Sequence, residues 1–223
     1  MARPLVIAID GPSGAGKSTA GRALASRLAY VFVDTGAMYR ALALKALRTG
    51  IPLGDGEALG RLAHESRIEL TDGGRGVLLD GENATAEVRS REVSTAASRV
   101  SVHPAVRREM VARQREMGGL GGVVLDGRDI GTAVFPAADV KFYVDADPVR
   151  RARRRADELA AAGSPFDLEA IEQDIRDRDH ADMTRPDSPL TRAPDAIHLD
   201  TTDLTPEQVL DHMWEIVEAK RTG

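Results

Sequence analysis

The sequence predicts an α/β fold, a parallel sheet flanked by helices, on three observations. Short apolar runs recur along the chain with helical patterns between them. A glycine-rich turn joins the first run to the first helix. Two stretches break the alternation, so that one core carries two insertions. With 223 residues and 42% hydrophobic content, the chain can bury a full core as one domain.

Taken in order, the first strand is expected over Leu5 to Ile9, an unbroken apolar run suited to burial on both faces. Gly11-Pro-Ser-Gly-Ala-Gly-Lys-Ser18 follows at once and fits G-x-x-x-x-G-K-[ST], with Thr19 to Leu28 as the helix behind it. Glycines in such a loop let backbone N–H groups converge on phosphate at a helix N-terminus, where the helix dipole favours anions. This is the signature of a P-loop NTPase. Lys17 would reach the β and γ phosphates, and Ser18 would bind Mg²⁺.

The second strand, Tyr30 to Val33, runs into Asp34-Thr-Gly-Ala-Met-Tyr-Arg40. Thr35 is expected to cap the next helix, with Tyr39 and Arg40 about one turn further on and Arg40 facing the same cleft as the phosphate loop. A capped helix with an exposed arginine would read the same way. Between Gly50 and His103, the segments Arg67 to Thr71 and Val77 to Asp80, with turns at Asp72–Gly76 and Asp80-Gly81, predict a small antiparallel insert.

The third strand, Val123 to Leu125, leads into Asp126-Gly-Arg-Asp129. A carboxylate at the end of such a strand suits Mg²⁺, which makes Asp126 the candidate; Arg128 offers a planar fork for phosphate, and Asp129 offers acceptors for an amine. An Asp-Gly turn with a local salt bridge is the alternative. After the fourth strand, Val140 to Val144, Asp147 is expected as an N-cap with Pro148 at the first helical position and Gly163 just past the helix end. The run Arg150-Arg-Ala-Arg-Arg-Arg155 lies on that helix, where the i, i+3, i+4 spacing of Arg151, Arg154 and Arg155 allows them to converge on a transferring phosphoryl group.

The second insertion is lid-like. At 100° per residue, Leu168, Ile171 and Ile175 form an apolar stripe that Arg178, Asp182 and Arg185 continue, although Pro186 opposes a helical Arg185. Charges on an inward face suit a surface that closes over an anion; a surface pair of Arg178 and Asp182 is the alternative. The last strand, Ala196 to Leu199, precedes a helix from Thr205-Pro206 to about Lys220.

Composition excludes several classes. A net charge of −5 argues against a broad nucleic-acid surface. The chain has no cysteine, hence no disulfide or thiolate metal site, and His64, His103, His180, His198 and His212 show no zinc spacing. Asp10 cuts short the apolar run near the N-terminus, and no transmembrane stretch follows, so no membrane association is expected and a cytoplasmic location is. A guanine-binding Asn-Lys-x-Asp motif, which a GTPase-type switch would require, is absent from the sequence.

With these pieces in order, the chain resembles the bacterial cytidylate kinases among the nucleoside monophosphate (NMP) kinases. The likeness rests on Ile9-Asp-Gly-Pro-Ser-Gly-Ala-Gly-Lys-Ser18, Asp34-Thr-Gly-Ala-Met-Tyr-Arg40, Pro104-Ala-Val-Arg107, Asp126-Gly-Arg-Asp-Ile-Gly-Thr132 and Arg178-Asp-x-x-Asp182-x-x-Arg185, and covers nearly the whole chain. It implies one domain: a core over residues 1–50, 103–150 and 193–223, an NMP-binding insert near 51–102 and a lid near 151–192. It implies phosphorylation of CMP and dCMP from MgATP, with no nucleic-acid partner and a monomeric state. The resemblance places ATP phosphates on Gly11, Pro12, Ser13, Gly14, Ala15, Gly16, Lys17, Ser18 and Thr19, and the acceptor phosphate near Thr35, Arg40 and Arg128. Cytosine would lie near Ser98, Arg107 and Asp129, the ribose near Asp182, and lid cations at Arg155, Arg178 and Arg185. Related sequences often carry Gly where this chain has Ser18 and Ser where it has Thr35.

Overall fold

The computed structural model describes residues 3–161 and 163–222. Five strands, β1 (Val6–Asp10), β2 (Val31–Asp34), β6 (Val123–Gly127), β7 (Val140–Asp145) and β8 (Ile197–Asp200), form a sheet in the order β2-β6-β1-β7-β8, every neighbouring pair parallel. These are the five expected strands. All five run on past their apolar runs into acidic or glycine residues, because the backbone ladder does not depend on apolar side chains: Asp34 pairs with Asp126, and Asp10 with Gly127. The carboxyl edge of the sheet thereby aligns Asp10, Asp34 and Asp126, and β1 lies at its centre, where open α/β sheets bind ligands.

Alternation along β1 sends Ile7 and Ile9 to one face and Ala8 to the other. The first face packs on α1 (Lys17–Leu28) and α8 (Pro206–Thr222) through Leu24, Leu28, Val209, Met213 and Val217. The other packs on α2 (Thr35–Thr49) and α5 (Pro104–Gly118) through Met38, Leu42, Val106 and Met110.

Between α2 and α5 stand α3 (Gly56–Glu65), a three-stranded antiparallel sheet of β3 (Ile68–Thr71), β4 (Gly76–Leu79) and β5 (Glu82–Asn83), and α4 (Arg91–Val100). Leu59, Ile68, Val77, Leu79, Val88 and Val93 of this insert are buried in one continuous cluster with Met38 and Leu125. After β7, α6 (Pro148–Ala161) packs on α7 (Leu168–Thr184). Asp147 caps α6, accepting from the Val149 and Arg150 N–H groups at 2.9 and 3.2 Å, and Gly163 takes a positive φ of 66° just beyond its end.

Two local expectations are corrected. Asp34, not Thr35, caps α2: its carboxylate accepts from the Ala37 N–H at 2.8 Å, while Thr35 is the first helical residue and donates to the Asp126 carbonyl at 2.7 Å. A carboxylate outcompetes a hydroxyl for a helix N-terminus when the chain offers both in succession. The helix α7 ends at Thr184, leaving Arg185 at an extended ψ of 140°, since the residue before a proline is driven out of the helical region. On α7 the inward stripe also starts later than expected: Leu168 is exposed, whereas Ile175, Asp179 and Asp182 are buried. Among the described residues no helix is long and apolar enough to cross a membrane.

Candidate active site

The phosphate loop turns tightly between β1 and α1. Gly11 has φ +145°, and a Cβ there would stand 1.9 Å from the Val144 carbonyl oxygen, so only glycine lets the loop leave β1 this close to β7. Gly16 caps α1 in a left-handed conformation without a side-chain bond, leaving the first N–H groups of that helix uncapped by any side chain.

Lys17 is buried, donates to the Pro12 carbonyl at 2.7 Å and lies 3.8 Å from Asp126 Oδ1. Burial lowers its ammonium to about 8, helped by the charges of Arg128 and Arg178 and opposed by Asp126. Ser18 donates to Asp126 Oδ2, and burial raises the Asp126 carboxyl against the pull of Lys17. Each of these groups is therefore held in an environment that an incoming phosphate and cation would relieve.

A set of cations from separate elements faces this point. Arg128, after β6, donates from Nε to Asp182 Oδ2 on α7 at 2.8 Å. Burial acts against the charges of this pair, but each holds the other ionised: Arg128 is raised and Asp182 lowered. Arg178 is lowered to about 10, by burial and then by Arg128, with Arg40 also contributing. Arg40 itself binds Asp34 at 3.1 Å. The buried Nε atoms of Arg40 and Arg178 have no hydrogen-bond partner among the described residues, and donors in that condition are stabilised by an anion.

Adjacent in the chain, Asp129 belongs to a second cluster. Its carboxylate accepts from Arg107 Nη2 of α5 and, at 3.2 Å, from Arg185 Nη2 just after α7. All three side chains are buried. Burial and Arg107 lower Arg185, whereas Arg107 is raised, against its burial, by Asp129 and Asp187. Burial pushes the Tyr39 phenol up to about 12, so it stays neutral. Residues from α5, the loop after β6 and the segment after α7 are thereby locked around one carboxylate.

Two expected site residues stand apart. Arg155 is exposed and pairs with Glu158 at 2.8 Å along its own helix, and Arg154 turns to the Thr201 backbone and hydroxyl. Of the spaced arginines only Arg151 points inward, because helix α6 packs just that face on the loop and α7. It donates to the Ser13 carbonyl at 3.0 Å, the Ala146 carbonyl at 2.9 Å and Asp179 at 2.6 Å, bracing phosphate loop and lid helix together. Ser98, half-buried on α4, bonds back to the Ser94 carbonyl at 3.4 Å, with no bond to Arg107 or Asp129.

Sequence reasoning gave no role to Asp10, Asp34, Asp179 or Asp187. The first two carried a signal, a carboxylate ending an apolar run; Asp179 and Asp187 carried none, because each is defined by an arginine distant in the chain. Among the described residues no three acidic or histidine side chains group as a metal cage.

The sequence model of the family described as cytidylate kinase matches residues 7–219. The cytidylate kinase of Symbiobacterium thermophilum is 51% identical over 214 residues, covering 95% of each chain. Those of Geobacillus thermodenitrificans and Geobacillus kaustophilus are 49% and 48% identical over 222 residues, covering 99% of each chain. A phosphate loop on a parallel sheet, a small antiparallel insert and a two-helix segment packed over the loop are the parts that a nucleotide kinase requires, and with likeness of this extent the chain belongs to the cytidylate kinase family.

Proposed function

We infer that the protein transfers the γ-phosphoryl group of ATP to CMP and dCMP, forming CDP and dCDP in pyrimidine nucleotide metabolism. The observation that carries this reading is the adjacency of Arg128 and Asp129: one faces the cations around the phosphate loop, the other is the buried carboxylate held by Arg107 and Arg185. A single stretch of chain thus spans from acceptor phosphate to base.

In this reading residues 11–19 hold the ATP phosphates, with Lys17 on the β and γ groups. Thr35, Arg40 and Arg128 receive the phosphate of CMP. Asp182 faces the ribose, and Asp129, with Arg107 and with Ser98 of α4, reads cytosine, since an ionised carboxylate has acceptor capacity beyond its two arginine bonds. Phosphoryl transfer spreads charge over the equatorial oxygens and needs little covalent chemistry, so positioned cations supply most of the rate. The attacking oxygen belongs to a phosphate already ionised at neutral pH, so no general base is assigned. Mg²⁺ fits the paired hard oxygens of Ser18 and Asp126, which would hold it together with ATP phosphates, and there it supplies neutralisation of the developing charge. Closure of α6 and α7 excludes the water that would otherwise compete with CMP.

An ADP-release assay across the nucleoside monophosphates tests the acceptor: CMP and dCMP should give the highest kcat/KM, and a preference for UMP or AMP would overturn the reading. A second expectation concerns the lid. Arg185→Ala should lower turnover more than it weakens binding of ATP alone, because Arg185 meets Asp129 only when the segment after α7 sits on the core. Turnover and ATP titration in the absence of CMP check this; a parallel loss of both would remove the closing role.

A further inference from the structure

Asp10 ends β1, is buried, and has no part in the scheme above. Its Oδ1 accepts from the Ile130 N–H at 2.8 Å and its Oδ2 from the Gly131 N–H at 2.7 Å. Those amides open a π-helical turn, Ile130–Val134, that follows Arg128 and Asp129 directly. The first N–H groups of any helical turn lack partners within it and are commonly capped by the side chain of the preceding residue. Here that residue is Asp129, a good capping type, yet it makes no cap bond: its carboxylate is turned to Arg107 and Arg185. The cap comes instead from another strand.

The fit is close. A Cβ at Gly131 would stand 3.3 Å from Asp10 Oδ2 and 3.1 Å from the Lys141 side chain, so that any larger residue there would press on the carboxylate. Burial raises the Asp10 carboxyl to about 6, the two N–H bonds opposing, with the Asp129 charge adding to the rise and Lys17 reducing it. An asparagine would fill the same space without burying a charge, but its single acceptor would satisfy only one of the two amides.

We propose that Asp10 is a positioning residue for the acceptor nucleotide: by capping the 130–134 turn from β1 it releases the Asp129 carboxylate toward the base and sets the reach of Arg128 to the acceptor phosphate. This rests on the reading of Arg128 and Asp129 as acceptor-binding residues.

Asp10→Asn keeps one acceptor but sets an NH₂ group against a backbone N–H. Asp129 is then drawn to cap its own turn. The KM for CMP should rise at least about 10-fold, with the KM for ATP within about 2-fold. A merely structural role predicts another pattern: because Asp10 abuts Gly11, a parallel rise in the KM for ATP. Either that pattern or an unchanged KM for CMP overturns the proposal. Should Asp10→Asn fail to fold, Gly131→Ala decides: its Cβ presses on Asp10 Oδ2 and strains the same contact without removing the carboxylate, and an unchanged KM for CMP in that variant is equally fatal. Asp129→Asn run alongside separates the two levels. If it leaves CMP kinetics intact, the acceptor reading itself falls; if it impairs them while Asp10→Asn does not, only the role of Asp10 falls.

Discussion

Lys17→Ala is expected to reduce turnover by more than about 100-fold while leaving CMP binding nearly intact. The ammonium is buried against the Pro12 carbonyl and Asp126, and burial with Arg128 and Arg178 nearby already holds it at about 8. A triphosphate arriving on the loop offers the counter-charge that this site lacks, and the charge of Lys17 then acts on phosphoryl oxygens as they gain negative character. Alanine removes that interaction without touching Asp129, Arg107 or Arg185, which lie in the other cluster. Asp126 then loses its nearby ammonium, a loss that its already raised carboxyl can meet by taking up a proton, so the fold should persist and a melting curve accompanies the kinetics. Steady-state kinetics with CMP titration by calorimetry check the split; near-normal turnover would take Lys17 out of the mechanism.

Asp129→Asn should lower the ratio of kcat/KM for CMP over UMP at least about 10-fold, chiefly through lost CMP activity. A carboxylate accepts the cytosine 4-amino hydrogen bond but opposes the uracil 4-carbonyl with its own lone pairs. Polar sites discriminate strongly because the wrong base leaves a buried group unpaired, a larger effect than a methylene-sized difference in an apolar pocket. In this protein the carboxylate is also the joint counter-ion of Arg107 and Arg185. Its neutralisation leaves two buried guanidinium groups short of a partner, so a melting curve must accompany the kinetics. Parallel CMP and UMP measurements decide; an unchanged ratio in a folded variant would move base recognition to Ser98 and Arg107.

The parts of the molecule that were legible in the sequence are those whose cause is local. The five strands follow from short, largely apolar runs, and the phosphate loop from glycine spacing. Asp147 and Pro148 mark the start of α6, as Pro186 marks the end of α7, because capping and proline sterics act over one or two residues. The β3–β4 hairpin was equally visible, since alternation and Gly-rich turns specify it without help from the rest of the chain, whereas β5 was not.

Choices among equivalent neighbours were not legible. The sequence offered Asp34 and Thr35 as caps for α2, and Arg151, Arg154 and Arg155 as inward cations on α6; which one serves depends on where a different element lies. Arg151 turns inward because α6 rests on the Ser13 carbonyl and Asp179, while Arg154 is captured by Thr201 and Arg155 by solvent and Glu158. The partner of each buried carboxylate is likewise a fact of packing, as with Asp10 and the Ile130 and Gly131 amides across 120 and 121 positions of chain. Sequence by itself thus determined the fold class, the nucleotide loop and the residue types available to the site, since propensity, periodicity and turn chemistry are properties of neighbours along the chain. Only the tertiary structure decided which arginine meets which aspartate, because a buried charge is stable only with a specific partner at hydrogen-bond distance, and that partner is brought there by the packing of the sheet and helices.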